Sequence, residues 1–127
     1  MPAVYDVELK GDRLAAVRDR LNGGTLEIGT AGFEEVVARI RLATPCAEVH
    51  GDELVFDDMP QRSIAIASGR AQEARCVDVN GVVRVSGLTV AGEDDEKADD
   101  ADVKISPDAD VKAGQAIELM DFRIIHG

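Results

Sequence analysis

Two histidines, two cysteines and twenty-five carboxylates are the first candidates for chemistry in this 127-residue chain. His50 and His126 would be its acid-base groups at neutral pH. His50 sits in Glu48-Val49-His50-Gly51-Asp52, a turn-like stretch, and His126 is the penultimate residue, where chain order is least secured. Both read as peripheral. Ser63, Ser68, Ser86 and Ser106 have no neighbouring base, and no Gly-x-Ser-x-Gly elbow is present. No glycine loop runs into a Lys-Ser or Lys-Thr pair at a helix start, so a phosphate loop is not expected either. Asp57-Asp58 and Asp108-x-Asp110 could pair carboxylates, but in an acidic chain such strand-end acids read as solvated. Catalytic residues, cofactor and metal are therefore all expected to be none.

Cys46 and Cys76 lie thirty residues apart, without a Cys-x-x-Cys pair or a histidine at ligand spacing, which leaves zinc and dithiol redox chemistry unsupported. Free thiols are the expectation. Outside a cell, where the reducing pool is lost, an intra- or intersubunit disulfide through Cys46 or Cys76 becomes available. Cys46, after the Pro45 turn, is expected to be the better exposed of the two, and so the one to reach a neighbouring subunit.

Charge limits the partners. Fourteen Lys+Arg against twenty-five Asp+Glu give −11, a field that repels phosphate backbones, and with no Trp and four aromatics a base-stacking platform is not expected. Nucleic acid is excluded on that ground, and a membrane span because no apolar run approaches ~18 residues. The excess is concentrated: Glu93, Asp94, Asp95, Glu96, Asp99, Asp100 and Asp102 against Lys97 contribute −6. The segment reads as a solvated, self-repelling loop. Clustered carboxylates also suit a hard cation, but the spaced Asp-x-Asp-x-Asp-Gly pattern is missing. The N-terminus shows no basic stretch followed by an apolar one, which makes the cytoplasm of the producing cell the expected site of synthesis.

The elements that would position these groups are mostly β. Fifteen Val and eight Ile supply stiff, branched side chains that suit a pleated surface. One helix is expected over 12–21, with Leu14, Val17 and Leu21 on one face, Asp12 or Asp6 as cap and Asn22-Gly23-Gly24 as stop. Thr25–Ile28 then alternates with period two. Glu35–Leu42 sends Val36, Ala38, Ile40 and Leu42 to one face and Arg39 and Arg41 to the other. Further strands are expected at 53–56, 63–68, 74–79, 82–86, 102–105 and 115–125, with Pro45 and Pro60 falling between strands. Val79-Asn80-Gly81-Val82 predicts a two-residue hairpin turn with positive φ at both Asn80 and Gly81. The whole reads as a single domain, residues 1–127: an N-terminal arm and helix over 1–23, then an antiparallel β-sandwich or jelly-roll-like barrel over 24–127. The Arg39/Arg41 face and the turn near His50 are candidate partner surfaces.

In the order of its motifs the chain resembles a family of small structural proteins encoded among the virion genes of tailed bacteriophages. After a short helix, that family runs into a Gly-Gly-Thr-Leu-x-Ile strand, matched by Gly23-Gly24-Thr25-Leu26-Glu27-Ile28. A second strand is matched by Val37-Ala38-Arg39-Ile40-Arg41-Leu42, followed by the turn at Pro45. The family's Ala-x-Gly-x-Ala block and Arg-Val-x-Asp-x-Asp-Gly hairpin correspond to Ala67, Gly69, Ala71, then Arg75-Cys76-Val77-Asp78-Val79-Asn80-Gly81, with Gly87 after the return strand. Its closing signature is matched by Asp102–Ser106 and by Ala113-Gly114-Gln115 leading into a final hydrophobic strand. Two departures stand out. Glu73-Ala74 replaces the usual aromatics, and the acidic insert at 93–100 is long.

The resemblance implies a non-enzymatic virion structural protein, made in the bacterial host and located in the particle. A capsid decoration or cement protein is the leading expectation, with the major capsid protein or other virion proteins and further copies of itself as partners. A neck, collar or tail component is the alternative. From another class, a sugar- or ion-binding adhesion module is disfavoured by the shortage of aromatics for stacking on sugar faces.

Overall fold

The computed structural model describes residues 6–56, 59, 61–93 and 101–125. Helix α1 (Val7–Leu21) begins earlier than expected because the Asp6 carboxylate accepts the Leu9 N–H at 2.8 Å, and the helix runs through Gly11. It ends at Asn22, followed by Gly23 at φ 72°. Leu14 and Leu21 are buried and Val17 packs beside them, as the three-residue stripe predicts.

Eleven strands follow among the described residues: β1 (Thr25–Gly29), β2 (Val36–Arg41), β3 (Ala47–His50), β4 (Glu53–Phe56), β5 (Gln61–Ile64), β6 (Gly69–Arg70), β7 (Glu73–Val77), β8 (Val83–Gly92), β9 (Val103–Ser106), β10 (Asp110–Val111) and β11 (Ala116–Ile125). Nine of them form one sheet in the order β2-β1-β7-β8-β9-β11-β4-β3, with β5 also on β11. Beyond β5, Ile66 donates its N–H to the Val37 carbonyl, and the Ser63 hydroxyl donates to the Arg39 carbonyl. These bonds bring β5 to β2 and curl the sheet toward a barrel. The fold is mostly β with an N-terminal helix, and its pairs are antiparallel except β8–β9, which is parallel. β6 and β10 form a separate two-stranded ribbon.

The core lies inside the curl. Leu26 and Ile28 from β1, Ala74 and Cys76 from β7, Val103 and Ile105 from β9, and Ile117, Leu119 and Phe122 from β11 are buried on alternate positions. The Phe122 ring stacks on Phe56 with centroids 3.8 Å apart. Gly24 brings β1 so close to β7 that any side chain there would strike the Val77 carbonyl.

Three expectations need correcting. In β2 Val37 is buried and Val36 only half-buried, because Gly29 pairs Val36 while Ile28 pairs Ala38, leaving Val37 as an extra residue that turns inward. Glu48–His50 is not a turn but part of β3, whose register on β4 places His50 opposite Glu53. The short β6 and β10 were not legible because two-residue bridges carry no period. Pro45 does fall between β2 and β3, whereas Pro60 lies outside the described residues.

Candidate interaction surface

The β7–β8 hairpin is organised by Asp78, the one buried polar residue among those described. Its Oδ1 accepts the N–H groups of Asn80 at 2.9 Å and Val82 at 3.0 Å, and its Oδ2 accepts Arg84 Nε at 2.8 Å. The Val82 bond first, then the Arg84 side chain, hold its carboxyl below the usual range despite burial. The backbone closes the same turn, with Gly81 N–H donating to the Asp78 carbonyl and Asp78 N–H to the Val82 carbonyl.

This geometry corrects the turn type. Gly81 is at φ 81°, while Asn80 is not in the left-handed region, so the loop is the three-residue Val79-Asn80-Gly81 rather than a two-residue turn with two positive φ angles. Sequence reasoning gave Asp78 no role, although an aspartate two residues before an Asn-Gly pair is the signal of a side chain that takes turn N–H groups. On this frame stand Val79, 67 % exposed, with Val82 and Val83 at 45 % each. Exposed apolar side chains on an anchored turn form an interaction surface rather than a cleft.

The two cysteines are both buried, Cys46 at 2 % and Cys76 at 0 % exposure. That overturns the expected exposure of Cys46, and with it the route by which it would reach a neighbouring subunit without unfolding. Cys46 is drawn inward by the end of α1: its N–H donates to Asn22 Oδ1 at 2.9 Å, and its thiol lies 3.6 Å from the Arg18 carbonyl. Burial first, and then the neighbouring Cys46, push the Cys76 thiol up to about 12, so it stays protonated at neutral pH.

The remaining candidates are distributed rather than gathered. His50 is exposed and faces Glu48 at 3.3 Å. Asp108 accepts the Asp110 N–H at 2.7 Å, and Asp110 pairs with Arg70, so these acids hold a turn and the β10–β6 ribbon together. The Ser68 hydroxyl accepts the Ala113 N–H. Among the described residues no group of three or more His, Cys, Asp or Glu could hold a metal ion. His126, Asp57-Asp58 and residues 94–100 of the acidic segment lie outside the described residues. An open hollow of about 630 Å³ is lined by Arg70, Gln72, Thr89 and alanines of β8 and its surroundings.

Arg39 and Arg41 do project outward, as predicted. Glu27 on β1 stands between Arg39 of β2 and Arg75 of β7, with bonds of 2.9 and 2.8 Å. Burial pushes the Glu27 carboxyl up, and the bonds from Arg75 and Arg39 together outweigh it, leaving it below its ordinary value. Arg75 also lies 4.2 Å over the Phe33 ring. Arg62 on β5 pairs with Glu118 on β11.

Fold and surface together define a small curled β-barrel with a helix at its N-terminus and a rigid apolar hairpin. No family model matches the chain, no curated protein matches it, and no solved structure matches it.

Proposed function

We propose that the chain is a structural component of a bacteriophage virion, attached to the outside of the head as a decoration protein. The observation that carries this reading is the β7–β8 hairpin. The motif Arg75–Gly81, through which the sequence resembles the virion family, forms a turn anchored by Asp78 that presents Val79, Val82 and Val83 to solvent. A pre-ordered apolar tip meets a partner surface at low entropic cost. Repetition of one modest contact over a lattice gives durable attachment through effective concentration. The net charge of −11 supports the outer face of the shell, away from packaged nucleic acid.

Purified particles test the reading. The ratio of this chain to the major capsid protein, measured by quantitative mass spectrometry, should match the repeat of the shell lattice. Cryo-EM density for the protein should lie on the outer surface, with the hairpin against the capsid. A few copies per particle would place it in the neck or tail instead, and its absence from particles would overturn the virion reading.

A further inference from the structure

Two other exposed apolar patches are bordered by opposite charges. The first lies where β5 closes on β2. Ile64 and Ile66 are 56 % and 53 % exposed, while Ala65 between them points inward. The bond from Ile66 N–H to Val37 sets this segment beside the strand that carries Arg39 and Arg41. Arg62 is on β5 itself, and the turn that begins at Lys112 bonds back to Ala65 and Ser68. Arg39 and Arg62 each have a carboxylate neighbour, Glu27 and Glu118, whereas Arg41 has no ion pair among the described residues. In a chain of charge −11, this face carries a local excess of cations.

The second patch lies on the first turns of α1. Val7 and Leu9 are 59 % and 42 % exposed. Asp6 and Glu8 stand beside them on the same turns, and Gly11 and Val7 approach the β3–β4 turn at Val49 and Gly51, which brings Glu48 and Asp52 to the same side. All four acids are exposed. Lys10 offsets one of them.

We propose that the chain associates head to tail with copies of itself, the isoleucine-arginine seam of one copy covering the valine-leucine, acid-rimmed helix start of the next. Each patch offers what the other lacks: an apolar centre of similar size and a rim of opposite sign. Like patches facing each other would bring arginine to arginine or carboxylate to carboxylate, so a two-fold contact is disfavoured at either site. The two patches share no residue. The contact is therefore heterologous, leaving one patch of each kind open on every dimer, and assembly proceeds to a closed ring or an open chain. This inference uses neither the β7–β8 hairpin nor the virion reading.

Sedimentation of the full chain and two variants tests it. A seam variant carries Arg41→Glu with Ile66→Ser; a helix variant carries Glu8→Arg with Leu9→Ser. All four positions are exposed, and circular dichroism checks that each variant keeps its β spectrum. The unaltered chain should shift from monomer to multiples of the monomer mass as its concentration rises. Each variant alone should remain monomeric. An equimolar mixture of the two should yield a dimer and nothing larger, because the helix start of the seam variant meets the seam of the helix variant and both remaining patches are broken. An unaltered chain that stays monomeric up to millimolar concentration would overturn the proposal. So would variants that still assemble alone, or a mixture that remains monomeric.

Discussion

Asp78 holds three donors, two of them backbone N–H groups of its own turn, whereas Glu27 holds two arginine side chains from the strands on either side. Both carboxyls are held below their ordinary values beside arginine, yet they answer to different parts of the chain. Asp78 replaces missing secondary structure: without it the Asn80 and Val82 N–H groups lose their partner in a half-enclosed loop. Glu27 decorates structure that already exists, since β1 is paired on both edges whether or not the carboxylate is there. Pairing to backbone thus builds a local shape, while pairing between side chains adds to one.

The sharpest way to break that contrast is to remove each carboxylate and compare. Asp78→Ala should lower Tm by about 5–10 °C, the largest effect of this set, because two turn N–H groups and Arg84 are left unmatched. Asp78→Asn keeps one acceptor oxygen and should fall between Ala and wild type. The sign with pH follows from the depressed carboxyl: its contribution is complete above the ordinary aspartate range and is lost as pH falls below about 3.8 through the native value. Thermal melts from pH 7 to pH 2 should show the Asp78→Asn variant losing less on acidification than wild type. A smaller loss for Asp78→Ala than for removal of Glu27 would reverse the comparison.

The hairpin gives the next test, because one glycine and one asparagine in it were expected to be equivalent. Gly81→Ala forces a side chain into positive φ with open space around it, so the cost is backbone strain alone, roughly 1–2 kcal/mol. Asn80→Ala meets no such strain and should cost only a few tenths of a kcal/mol. Equal losses in urea denaturation would restore the two-residue turn.

How far the sequence was legible follows from the same contrast. The period of two exposed most strands, and the i, i+3, i+7 stripe exposed α1, because repeated burial leaves a repeated pattern. Val37 was misassigned because a bulge breaks the period at one residue without leaving a composition signal. Asn80-Gly81 marked a turn correctly in place, but its type depended on Asp78, a side chain outside the pair. The site was less legible than the fold. Cys46 was expected at the surface from its neighbour Pro45, while its burial is set by α1, twenty-four residues away at Asn22. Arg39 and Arg41 were readable as an outward face, but the exposed Ile64 and Ile66 beside them depend on β5 reaching β2, a closure that no local pattern encodes.

The smallest expected effect belongs to Glu27. Glu27→Gln keeps the shape and one acceptor while removing the charge between Arg39 and Arg75, whose side chains are 54 % and 31 % exposed. Solvent screens the Arg39 arm most, so the loss should be about 0.5–1 kcal/mol at low salt and smaller still in 1 M NaCl. Because the folded carboxyl lies below its ordinary value of 4.5, its stabilisation is complete above that value and is lost as pH falls through the native one. Wild type and Glu27→Gln should therefore differ in urea midpoint at pH 7 and converge toward pH 2. The difference at pH 7 should also shrink in an Arg75→Met background, because Arg75 is the less exposed partner and lies over Phe33. An undiminished difference there would assign the effect to Arg39 alone and reduce the three-strand row to a single surface ion pair.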